Sequence, residues 1–290
     1  MSEQTVRHPE NPHRKIILMP AFLSFPVNAA LAAAILAVLW VVDAEYGQRP
    51  AVRLLRSSTA ACWLLGITVA WCIIGGLVPP QWATDGSVWQ ALGFGAFPSS
   101  WGFRLLVCAL LLDLALVVIH RIRQYRWRRD AAFLMLHGGL WFVLAAGSIG
   151  AADRVEGRAL VTDDTECCTM FLRDGRILPL AYSMHLAGFE VERSMADSSV
   201  VQYTATIVVD SAEKHTIAVN NPYGVRWDED LYLTSFSASD SSGMLPAAVI
   251  MVVREPWKPV SQAGILLLAA GMLCYVFRTS SHRAPPSTLS

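Results

Sequence analysis

Residues 131–152 read AAFLMLHGGLWFVLAAGSIGAA, twenty-two residues with no charge and a single histidine, His137. At about 1.5 Å per helical residue such a stretch covers the ~30 Å of a bilayer's hydrocarbon core. The next segment has another character: residues 153–259 carry sixteen acidic and nine basic side chains before the chain turns apolar again over Val260–Phe277. A span, a polar segment of domain size and a second span define the architecture: a membrane bundle with one inserted domain.

Upstream, Ile16–Val42 and Ala60–Val78 are uncharged, and Trp101–Ile119 is as apolar apart from Arg104 and Asp113. Five spans are expected, over 16–42, 60–78, 101–119, 131–152 and 260–277. Pro20 and Pro26 make the opening turns of the first irregular. A cleaved signal peptide is a poorer reading, because the run is long and no small-residue cleavage site follows it. Composition agrees: 54% of the 290 residues are hydrophobic and 16% charged, against about a quarter charged in soluble domains. Ten Trp and eleven Phe exclude a solvated, disordered chain. Twenty-three basic residues balance twenty-three acidic ones, which gives nucleic-acid binding no support.

Positive charge orients the bundle. Arg121, Arg123, Arg126, Arg128 and Arg129 between the third and fourth spans read as cytoplasmic, as do Arg49, Arg53 and Arg56 and the tail 278–290 beginning at Arg278. Pro79–Ser100 has no Lys or Arg and faces outward. The N-terminus then lies outside, where Arg7, Arg14 and Lys15 fit poorly. The segment 153–259 is extracytoplasmic. Val200–Val209 and Ala247–Val253 are β-branched runs of strand length, and Asp174-Gly175, Asn220-Asn221-Pro222 and Ser242-Gly243 supply turns. An all-β, antiparallel, sandwich-like domain is expected there.

Few residues carry chemistry. Cys62, Cys72, Cys108 and Cys274 lie in spans as small hydrophobes, and adjacent Cys167 and Cys168 make a disulfide only with strain. The chain has no CxxC, P-loop, HExxH or GxSxG. The informative polar residues are within the membrane. His137 is an ionisable group in an apolar helix, and a neutral imidazole there can ligate haem iron. Gly138 and Gly139 remove bulk beside it, for a flat macrocycle or for a partner helix. The competing reading is a histidine bonded across a helix pair, with the glycines serving packing. Depth arithmetic puts Asp113, seven residues before His120, level with His137, seven residues after Asp130. An Asp113 carboxylate on the second ring nitrogen would orient the ligand. Alternatively Asp113 meets a partner subunit or an arginine-lined interface. His120 reads as interfacial, and His185 and His215 as surface residues.

The order of these features resembles the ResB family of system II cytochrome c biogenesis, in the compact form of Bacteroidetes-like bacteria. The resemblance runs from about residue 60 to 277. It rests on GGLVPPQW closing the second span, WGFRLLVCALLLDLALVVIHRIR (101–123), His137-Gly138-Gly139, ILPLAYSMHLAGFEVER (177–193), VNNPYG (219–224) with LYLTSFS (231–237), and REPWKPVSQAGILLLAAG (254–271). Asp113 stands where a neutral residue is expected, the outer domain is short for the family, and Ile16–Val42 is an added span.

The resemblance implies a multi-pass protein of the bacterial cytoplasmic membrane that helps deliver haem b outward for attachment to apocytochrome c. It implies a CcsA/ResC-like partner carrying the Trp-rich WWD loop, and a thiol-reducing thioredoxin-like protein as a further partner. Arg226-Trp227-Asp228 is no such loop. His137 would ligate the iron, and the reaction would belong to the complex, so no catalytic residue is assigned. A membrane-anchored sensor or scaffold without haem is the alternative from another class. A two-histidine electron-transfer subunit fits less well, since His120 and His137 differ in depth.

Overall fold

The computed structural model describes residues 24–84, 86–94, 100–193, 200–210, 213–237 and 247–281. Residues 16–23 of the first expected span, Arg7, Arg14, Lys15, the Ser242-Gly243 turn and the tail beyond 281 lie outside them.

Seven α-helices are present among the described residues: α1 (Val27–Tyr46), α2 (Pro50–Leu55), α3 (Ser58–Leu77), α4 (Val88–Ala91), α5 (Trp101–Arg123), α6 (Trp127–Ile149) and α7 (Lys258–Ser281). Five of them, α1, α3, α5, α6 and α7, are long and apolar enough to cross a membrane. α1 begins directly after Pro26, whose ring cannot sit inside a helix, and continues past Val42 to Tyr46. The charge at Asp43 does not end it, because that carboxylate is buried and ion-paired. Serines start two others: Ser57 Oγ accepts from Ala60 N–H at 3.1 Å, and Ser100 Oγ from Phe103 N–H at 3.3 Å.

Helix contacts follow the small residues. A Cβ on Gly139 would stand 2.7 Å from the Gly264 carbonyl oxygen, and one on Gly264 2.9 Å from the Gly139 oxygen. α6 and α7 therefore touch backbone to backbone, as small residues allow in lipid. Trp71 of α3 lies against Gly102 of α5, where no side chain would fit. Trp141 Nε1–H of α6 donates to the Leu111 carbonyl of α5 at 3.1 Å.

Between α6 and α7 stand eight strands: β1 (Val155–Thr162), β2 (Cys167–Leu172), β3 (Ile177–Arg193), β4 (Val200–Val209), β5 (Glu213–Ala218), β6 (Tyr223–Arg226), β7 (Glu229–Ser237) and β8 (Ala247–Arg254). They form one antiparallel sheet in the order β5-β4-β3-β2-β1-β8-β7-β6. One continuous sheet, rather than the two stacked sheets of a sandwich, is the observed arrangement. No helix among the described residues covers it, and the sheet hides its apolar face by curling on itself. Met170, Met184, Ile207, Ile217, Leu231 and Ile250, from six strands, meet in one core. At the seam the edge strands β5 and β6 approach each other, and His215 stacks on Tyr223 with its Nε2 2.9 Å from the phenol oxygen. Gly175 (φ 86°) and Asn220 (φ 64°) take the left-handed conformation in the two turns that their sequences suggest.

Asp153 joins the sheet to the bundle. It accepts from Phe25 N–H (3.1 Å), Asn28 Nδ2 (2.6 Å) and Trp257 Nε1 (2.9 Å), so the start of α1, the end of α6 and the start of α7 share one level. The connector arginines 49, 53, 56, 121, 123 and 126 lie at the other end of the bundle.

Candidate functional site

His137 sits half-buried in the middle of α6. Its ring stacks on Phe133, one turn earlier, with centroids 3.8 Å apart and planes inclined by 20°. Nδ1 lies 3.0 Å from the Phe133 carbonyl oxygen. A carbonyl oxygen only accepts, so Nδ1 carries a proton, and in a neutral imidazole the lone pair then lies on Nε2. Nε2 has no hydrogen-bonding partner among the described residues. The ring is thus oriented by its own helix and presents a free donor atom of the kind that binds iron.

The two glycines beside it have separate surroundings. Gly139 is pressed against α7 at Gly264. Gly138 faces open space, since a Cβ there meets nothing within 4 Å. It lines an apolar cleft of about 540 Å³ between α1, α5 and α6, with Leu267 of α7 also in its wall. His137 is not part of that lining, being one residue further round the helix.

Asp113 is 7% exposed, and its Oδ1 has no hydrogen-bonding partner. The structure does not bring Asp113 and His137 into a hydrogen bond. The role of orienting the imidazole, which depth arithmetic assigned to Asp113, falls to the Phe133 carbonyl, because a helix places residue i−4 directly beneath residue i.

Sequence reading overlooked Asp43. Its side chain is fully buried and accepts from Arg56 (2.6 Å) and Arg123 (2.6 Å), with His120 Nδ1 at 3.2 Å. Three helical segments are thereby tied together at the end distal to the sheet. His120, read as interfacial, is a member of this cluster. The available signal was an aspartate closing an apolar run opposite an arginine-rich connector. Nearby, Asp130 accepts from Arg121 NH1 (3.2 Å) and Arg126 N–H (2.9 Å), and Arg121 lies over the Phe133 ring at 4.7 Å.

In the curled sheet, Glu229 is 1% exposed and accepts from the Tyr182 hydroxyl at 2.7 Å and from two Arg254 nitrogens at 3.0 Å. Burial first, and then the Glu229 carboxylate, hold the Tyr182 phenol well above its ordinary pKa. Among the described residues no group of three or more His, Cys, Asp or Glu side chains that could hold a metal ion is present.

Residues 125–255 match the ResB-like family. The ResB-like stretch begins just before α6, includes His137 and contains the whole sheet. The fragments around residues 60–82 and 101–123, and most of 254–271, fall outside it. No curated protein matches the chain. It is similar to a solved structure of "Cytochrome c Heme Lyase CcmF", with 15% identity and a TM-score of 0.39. That similarity covers 86% of this chain and 44% of the other, so the chain spans less than half of that protein's length.

Proposed function

We propose that the chain is a ResB-like subunit of a system II cytochrome c synthase, which helps haem cross the membrane and reach apocytochrome c. The observation that carries this reading is the His137 contact: Nδ1 lies 3.0 Å from the Phe133 carbonyl oxygen, which leaves Nε2 available for a ligand, within a stretch that matches the ResB-like family. Haem is cargo here, and His137 is the side chain that would ligate its iron, the iron itself supplying no bond-making step to this subunit. A protein of CcsA/ResC type with a WWD loop would contribute the opposite axial ligand and hold the haem for attachment to the apocytochrome thiols. The curled sheet would hold apocytochrome or partner. Because the connector arginines lie at the end of the bundle away from the sheet, the positive-inside bias supports a cytoplasmic membrane location with the sheet outside.

The test is co-expression with a WWD-loop partner, followed by visible spectra of complexes with the native chain and with His137→Ala. The expected result is a Soret band that His137→Ala abolishes. A colourless complex would favour the haem-free sensor or scaffold.

A further inference from the structure

The cleft lined by Gly138 has its walls in Leu36, Ala37 and Trp40 of α1, Ile119 and Ile122 of α5, and Trp141 of α6. None of its lining side chains carries a charge or an iron-ligating atom. α1 packs on α5, while between α1 and α6 the cleft remains, at a level that hydrocarbon would occupy in a membrane. Leu36, Trp40 and Asp43 stand at positions i, i+4 and i+7, on one face of α1. The cleft therefore runs down to the Asp43 cluster within a turn.

That cluster has surplus positive charge. Arg56 and Arg123 share the single Asp43 carboxylate, and each guanidinium has five N–H donors. The Arg123 side chain is 32% exposed, so donors remain reachable from outside. Arg49, Arg53, Arg121 and Arg126 add to the field. Of the other acids at this end, Asp130 is bonded to Arg121, and Glu45 is exposed.

We propose that this cleft binds an anionic phospholipid, an acyl chain lying between α1 and α6 and the phosphate resting on Arg56 and Arg123. Both halves of the site match one amphiphile: hydrocarbon against an uncharged wall, and a phosphodiester against forked donors at the interface. Haem fits less well, because the wall offers its iron no ligand. This site is separate from His137 and does not depend on the haem reading.

The test uses the full chain in mild detergent with an equimolar mixture of phosphatidylglycerol and phosphatidylcholine, bound lipid being counted by native mass spectrometry. Phosphatidylglycerol should be retained over phosphatidylcholine by about fivefold. Gly138→Leu, which adds a side chain where there is open space, should abolish that retention without lowering the thermal unfolding midpoint. Ala37→Trp closes the cleft from the opposite wall and should do the same, should Gly138→Leu fail to fold. Arg123→Gln should remove the headgroup preference and leave lipid of both kinds bound. Equal retention of the two lipids, or retention undiminished in folded Gly138→Leu and Ala37→Trp, would each overturn the proposal.

Discussion

The Nδ1 of His137 meets the carbonyl oxygen of Phe133, one helical turn below it, at 3.0 Å while the two rings stack. One residue thus fixes both the tautomer and the plane of the imidazole. Replacing Phe133 by Leu should leave the backbone bond but remove the stacking. The expected outcome is a partial loss of the Soret band in the partner complex, against a complete loss for His137→Ala. Equal losses would show that the ring contact matters as much as the ligand.

Gly138 and Gly139 should respond oppositely to alanine. Gly138→Ala puts its methyl in open space and gains about 1 kcal/mol of helix propensity. Gly139→Ala drives its methyl to 2.7 Å from the Gly264 oxygen, so α7 must move away at a cost of roughly 1–3 kcal/mol. Thermal unfolding in detergent, followed by tryptophan fluorescence, separates the two.

Asp113→Leu removes a buried oxygen that has no partner. In the isolated chain it should be stabilising by roughly 1–3 kcal/mol, the penalty of an unsatisfied polar group. A stabilised chain that no longer associates with its WWD-loop partner would place the bonding partner of Asp113 on that protein.

Asp43→Asn leaves Arg56 and Arg123 without their shared carboxylate. A charged hydrogen bond is worth about 1.5–3 kcal/mol, and the partial exposure of both arginines favours the lower end. Chemical denaturation of the full chain should show this loss. An unchanged midpoint would show that the cluster adds nothing to stability.

The sheet carries an alkaline limit. The Tyr182 phenol has a folded pKa raised by burial and by Glu229, so the unfolded chain gives up that proton first. Its contribution is complete below about pH 10, the unfolded value, and disappears as pH rises beyond it. Tyr182→Phe should flatten stability against pH in that window, at the cost of about 1 kcal/mol for the lost bond at neutral pH. Tyrosinate absorbance of the full chain during an alkaline titration reads this directly.

Length and hydropathy alone determined the bundle. Uncharged runs of span length and a polar insertion with β-branched strands were legible because burial in lipid and strand pairing both leave periodic, local marks. The turns at Gly175 and Asn220 were legible for the same reason: the residue type is required by the local backbone. His137 stood out because an ionisable side chain is costly at that depth. Tertiary structure decided the rest. Whether eight strands make two sheets or one curled sheet depends on which edges meet, and the seam at His215 and Tyr223 joins strands whose sequences do not announce it. Gly138 and Gly139 look alike in sequence, but a 100° step round the helix puts one in a cleft and the other against α7. Asp43 ends an apolar run on paper, while in space it holds α1 to arginines distant in the chain. Asp43 and Arg123 are 80 residues apart in the chain, so only the packing of the helices selects their contact.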